Sequence, residues 1–281
     1  MPPIIKAAAV QIHPKLMKNV QNLEKILLKI REAAANGAHL IALPECALTG
    51  YMFTRKEEAL PYAENVPGPA TEKVGTLCKE LGVYVIFGLL EKDGKKLYNA
   101  AAFVGPDGLI GKYRKNHLPF LGVDRFTDKG NDRINIFKTP VGNIGIIICY
   151  DMTFPEICRV MMLQSVDIIV VITNWPRQRE MVAKHMVNTR ALENHVYVVA
   201  ADRVGTERKA KFLGRSKIAD ASGRTMASAS MTKEEILYAD LDLSLARQKH
   251  AVHIPGEFET DFVKDRRPDL YGDITKPVEH K

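Results

Sequence analysis

GIIICYDMTFPE, residues 145–156, decides how this chain is read. Three successive isoleucines suit a strand buried on both faces, because no polar residue alternates with them. Pro155 suits the first turn of a helix, where its missing N–H removes nothing the helix needs. Cys149 is therefore expected on a tight strand-to-helix turn. Unpaired helical N–H groups and the positive end of the helix dipole would favour its thiolate. An ordinary cysteine is only about 3% ionised at neutral pH, so the residue still needs a base or a positive neighbour.

The same alternation of apolar runs and helical patterns extends in both directions. IKAAAVQI (5–12), NVQNLEKILLKIREAAANG (19–37) and AHLIALPE (38–45) read as strand, helix and strand, with apolar residues three and four apart in the middle segment and Gly37 as its stop. TEKVGTLCKELG (71–82) leads into VYVIFGLL (83–90), and FPEICRVMMLQSV leads into DIIVVIT (167–173). LYNAAAFVGPDGLIGKYRK reads as two strands joined at Pro106-Asp107-Gly108. Near-continuous apolar strands covered by amphipathic helices imply a layered α/β fold. From Gly256 onward the chain turns polar and proline-rich, as an extended tail would.

Two further strand ends carry charge. Glu45 follows the apolar run LIAL, and a carboxylate in a cleft there would have its pKa raised toward the range useful for proton transfer. Lys115 and His117 follow the strand around Leu109 and Ile110. A carboxylate, an amine and a thiol are thus delivered from strand ends, the edge at which layered α/β folds build sites.

Composition bounds the classes. The chain has 281 residues, 46% hydrophobic and 26% charged, with a net charge of +7. Its basic residues are dispersed and accompany no nucleic-acid motif, so a solvated basic surface is the reading and no nucleic-acid partner is expected. The apolar runs are too short to cross a bilayer and no signal peptide is read at the start, which gives the expectation of a cytoplasmic protein without a membrane partner. The four cysteines lack CxxC spacing and are expected as free thiols. His185 and His195 lack ligand spacing, and no metal is expected.

LPECALTGY, YRKNHLPF and GIIICYDMTFPE, in that order, resemble the three signature segments of the nitrilase superfamily of carbon-nitrogen hydrolases. NWP (174–176), RALENHVYVVAADRVG (190–205) and FLGRSKIADASG (212–223) agree, so the resemblance runs from about residue 4 to residue 240. It implies a four-layer αββα sandwich over residues 1–250; residues 251–281 are read as a C-terminal extension, either disordered or packing at a subunit interface. It also implies a Glu45, Lys115, Cys149 triad, an oxyanion site using the Tyr150 backbone N–H, and no cofactor. A homodimer or larger homo-oligomer is expected, as is an amide or carbamoyl small molecule as substrate.

Many members of that superfamily carry a second glutamate after the lysine motif. Here the loop LPFLGVDRFTDKGND has none, and Asp124 is the nearest candidate. Members that grip substrate carboxylates often place arginine as in CYDxRFPE, where this chain has Thr153, which leaves Arg177 and Arg179 as replacements. Tyr51, His117, Asn174 and Trp175 complete the expected lining, although core packing explains Trp175 equally well and a structural hydrogen bond suits His117. The Cys-Tyr-Asp form points to a linear amidase ahead of an ω-amidase or N-carbamoyl amidohydrolase, and a true nitrilase comes last. A thiol enzyme pairing Cys149 with His117 or His195, and a non-catalytic binding protein on the same scaffold, are the competing classes.

Overall fold

The computed structural model describes residues 4–277. Residues up to Arg247 form one compact unit and those from Gln248 a second. The outer ends of the two expected segments, residues 1–3 and 278–281, lie outside the described residues.

The first half of the large unit contains β1 (Ile4–Gln11), α1 (Asn19–Ala35), β2 (Leu40–Ala42), α2 (Pro69–Leu81), β3 (Tyr84–Asp93), β4 (Lys96–Gly105) and β5 (Gly108–Arg114). The second half contains β6 (Ile136–Thr139), β7 (Gly142–Ile148), α3 (Pro155–Leu163), β8 (Ile168–Ile172), α4 (Val187–Asn194), β9 (Tyr197–Ala201), β10 (Lys217–Ala219), β11 (Thr225–Ser228) and β12 (Glu235–Asp242). They make two six-stranded sheets, in the orders β12-β1-β2-β3-β4-β5 and β11-β10-β9-β8-β7-β6. Each sheet has a parallel centre, β1-β2-β3 in one and β7-β8-β9 in the other.

Strand alternation sorts the side chains into layers. Ala7 and Ala9 of β1, Leu40 and Ala42 of β2, and Ala101 and Phe103 of β4 share one core with the second sheet. Their neighbours Ala8, Val10, Ile41, Ala100 and Ala102 face the opposite way and join Leu23, Ile26 and Ile30 of α1 and Val74 and Leu77 of α2. Phe103 meets Phe137 of the other sheet edge to face, with ring centroids 5.6 Å apart. A side chain at Gly145 would meet Met161 of α3, so that face of the second sheet is covered by helix. The result is helix, sheet, sheet, helix. No side chain caps the start of α1, so its buried stripe holds it; each such Leu or Ile contributes roughly 1.5–3 kcal/mol, an upper bound.

Strand direction places the site. Because β4 runs antiparallel to both β3 and β5, β5 points the same way as β2 and β3. The carboxyl ends of β2 and β5 therefore share one edge of the first sheet, and those of β7, β8 and β9 share one edge of the second. The smaller unit carries a hairpin, β13 (His250–Ile254) with β14 (Phe258–Asp261), rather than a simply extended tail. Among the described residues no helix is long and apolar enough to cross a membrane.

Candidate active site

Glu45 comes from the turn after β2, which lies against β3. The turn is fastened by Gly88 N donating to Pro44 O at 3.1 Å and Leu48 N donating to Gly88 O at 3.1 Å. Only glycine fits at 88, since an added Cβ would stand 2.3 Å from Cys46 N and 2.6 Å from Glu45 Cα. The Glu45 carboxylate is fully buried. Its Oε1 accepts from Lys115 Nζ at 2.7 Å and Asn99 Nδ2 at 2.6 Å, while Oε2 has no hydrogen-bond partner among the described residues.

Lys115 follows β5 directly, and its main-chain N–H donates to Asn99 O at 2.9 Å. Its ammonium is fully buried between two carboxylates, Glu45 and, at 2.5 Å, Asp124 Oδ2. Asn99, from the middle of β4, also donates to Asp124 Oδ1 at 2.8 Å and so links the two acids. The Tyr51 hydroxyl stands 2.8 Å from Asp124 Oδ2. Asp124 rides on a short helical turn, Gly122–Arg125, whose first residue has φ +49° and sits against the Tyr51 ring, where a Cβ would be 2.5 Å from Cε1.

Cys149 caps β7 with φ +49°, a left-handed conformation that strains any residue but glycine. Such outliers persist where the surroundings over-determine them. Asp151 does so here. Its Oδ2 accepts from Ile148 N at 3.0 Å and from the Tyr113 hydroxyl at 2.8 Å, while Oδ1 accepts from His117 N at 2.9 Å and contacts His117 Nδ1 at 2.7 Å. His117 also stacks on Phe154, 3.9 Å between centroids.

The charges of Glu45 and Lys115 both act on the Cys149 thiol, beside Thr173 and the Asn174 main chain. Burial and then the Glu45 charge push this thiol well above its ordinary pKa, and Lys115 offsets only part of that. Only 7% of the residue is exposed, so the sulfur does need the base or positive neighbour that its sequence position called for. Burial, and then Asp124, raise the Glu45 carboxyl despite the lysine between them. Burial would lower Lys115, but Asp124 and Glu45 together hold it well above its ordinary value. The site thus brings together a thiol and a carboxyl that burial pushes up and an ammonium that two carboxylates hold up.

The remaining expected residues divide. Asn174 is buried with both side-chain polar atoms unpartnered among the described residues, just beyond β8. Trp175 is buried, and its main-chain N–H donates to Asp202 Oδ1 at 3.1 Å. Tyr150 is half-buried and makes an edge contact with Phe154. Arg177 is half-buried, and its Nε has no partner among the described residues. Arg179 donates to Thr153 Oγ1 at 3.0 Å and lies 6.0 Å from the Tyr150 ring centroid. Asn99 escaped the sequence reading, although an amide inside LYNAAAFV was a visible signal: a polar group in a buried strand must find partners.

Comparison with known proteins bears on the family and the fold. The family model described as carbon-nitrogen hydrolase matches residues 6–251. A nitrilase of Pyrococcus abyssi is 39% identical over 95% of this chain and 99% of its own length. The omega-amidase of Homo sapiens is 32% identical over 97% and 99% respectively. A carbon-nitrogen hydrolase structure from Helicobacter pylori shares the fold, with a TM-score of 0.84 at 24% identity over 98% of this chain and 99% of that one. With the fold, the signature segments and these matches in agreement, the chain belongs to the carbon-nitrogen hydrolase family.

Proposed function

We propose that the protein hydrolyses small linear amides through a thioester on Cys149, with Glu45 as general base and acid and Lys115 as electrophilic support. One observation carries this: Glu45 Oε1 is fixed by Lys115 and Asn99 while Oε2 makes no hydrogen bond within the described chain, so one carboxylate oxygen is held and the other is left for proton transfer. Glu45 takes the thiol proton as sulfur attacks the carbonyl carbon. The carbonyl electron pair moves to oxygen, where the Lys115 ammonium and the Tyr150 N–H stabilise it. Collapse re-forms the carbonyl and breaks the C–N bond, and Glu45 gives its proton to the departing ammonia or amine. Water, losing a proton to the same carboxylate, attacks the thioester; the carboxylic acid leaves and the sulfur recovers its proton. Asp124 keeps Lys115 charged throughout.

Incubation with an amide followed by acid quench and intact-mass measurement tests the scheme. A mass increase confined to Cys149 is expected, and Cys149→Ala should show none. Undiminished ammonia release by Cys149→Ala would sink it.

A second reading, an ω-amidase acting on substrates with a remote carboxylate, is favoured by Arg179. Its guanidinium holds Thr153, the position at which the CYDxRFPE pattern carries its arginine, and the human omega-amidase relative points the same way. We also propose a cytoplasmic homo-oligomer in which the smaller unit packs on a partner copy, supported by exposed Val252, Ile254 and Phe258. Light scattering that returned the 31.4 kDa of one chain would exclude that assembly.

A further inference from the structure

Arg203 and Glu207 lie beyond β9 and belong to none of the groups assigned a chemical part, yet both are buried and paired. The guanidinium is fully committed. It pairs with Glu207 Oε1, donates to Pro14 O at 3.0 Å and lies 4.2 Å from the Phe212 ring centroid. The other carboxylate oxygen, Oε2, accepts from two successive main-chain N–H groups, Tyr51 and Met52, each at 2.9 Å. Tyr51 is therefore gripped at three places. Its N–H is held by Glu207, its carbonyl accepts Val123 N at 3.0 Å, and its hydroxyl reaches Asp124.

This path crosses between the halves of the large unit. Glu207 lies in the connection between β9 and β10 of the second sheet, whereas Tyr51 and Asp124 belong to loops of the first, and Asp124 contacts Lys115. We propose that Glu207 is a positioning residue for the catalytic lysine, acting through the Tyr51 main chain and hydroxyl to fix the Asp124 carboxylate. The inference rests on the amidase reading for the part it gives Lys115. A buried ion pair is an expensive way to secure a turn, since desolvation offsets most of the attraction between its charges. Its use here makes sense where a small displacement of a reacting group is penalised heavily.

The test uses the full chain and two readouts: turnover of an amide, and the rate at which iodoacetamide alkylates Cys149, followed by peptide mass. In Glu207→Ala both kcat and the alkylation rate should fall, on the order of 10- to 100-fold, with KM within about threefold of wild type. Glu207→Gln keeps an oxygen for the Tyr51 and Met52 N–H groups but loses the charge facing Arg203, so it should recover part of the loss. Arg247→Ala breaks an ion pair to Asp167 whose arginine is half exposed, and should leave both rates near wild type at a temperature where each variant is folded. Alkylation of folded Glu207→Ala at the wild-type rate would overturn the proposal. Should that variant fail to fold, wild-type rates in Glu207→Gln would overturn it instead. An alkylation rate that depends on Glu207 in a protein releasing no ammonia from any amide would refute the amidase reading and leave the positioning role standing.

Discussion

Asp124 Oδ2 lies 2.5 Å from Lys115 Nζ, nearer than the 2.7 Å that separates the lysine from Glu45. The shorter side chain in the loop still reaches the ammonium, because the Gly122–Arg125 turn folds over Tyr51. Asp124→Asn would leave Lys115 with one carboxylate and Tyr51 with a weaker partner. We expect kcat to fall on the order of 100-fold and stability to fall by roughly 3 kcal/mol, measured by steady-state ammonia release and urea unfolding. Unchanged kcat would assign Asp124 to the fold alone.

Glu45 gives the pH dependence its sign. Burial raises its carboxyl, so the base form needed to take the thiol proton appears only above the ordinary carboxylate value of about 4.3, and the acid limb of kcat/KM should lie above that value. For stability the folded protein holds this proton more tightly than the unfolded chain. That contribution is complete below the ordinary value and disappears as pH climbs through the raised one. Glu45→Gln should therefore abolish turnover and flatten this segment of the stability profile. An acid limb at or below the ordinary carboxylate range would contradict the assignment.

Arg179 separates the two substrate readings. Hydrogen bonds to charged groups contribute roughly 1.5–3 kcal/mol, so Arg179→Ala should raise KM about 10- to 100-fold for amides bearing a distant carboxylate and leave neutral amides nearly unaffected. Equal losses for both substrate types would remove Arg179 as an anchor.

Asp151 accepts from Ile148, Tyr113 and His117 around the Cys149 turn. Asp151→Ala would strand these donors and release the strained cysteine, and should lower stability by about 2–4 kcal/mol in denaturant unfolding. His117→Ala should do less, because the Asp151 contacts to Ile148 and Tyr113 remain. A larger loss for His117 than for Asp151 would reverse this ranking.

The layered fold was legible because its strands are nearly all apolar and its helices are striped. Leu23, Ile26, Ile30 and Ala33 recur three and four apart and are buried as that spacing requires. The charged strand ends were legible for a related reason: Glu45 closes the apolar run LIAL, and Lys115 follows directly on a strand. What no local pattern carried were the contacts made across the fold. Asn99 links two acids 54 and 25 residues away, and Glu207 grips a main chain 156 residues earlier. Nor did the turn at Cys149 disclose how deeply its sulfur is buried, which reverses the sign of its shift.

Glu45 and Lys115 ride on one sheet and Cys149 on the other. On the proposed mechanism neither sheet alone holds a complete reaction centre, so a folding intermediate with either sheet formed and the two undocked would be chemically silent. Selective labelling of Cys149 during refolding then becomes a clock for the docking of the layers, read in a single sulfur.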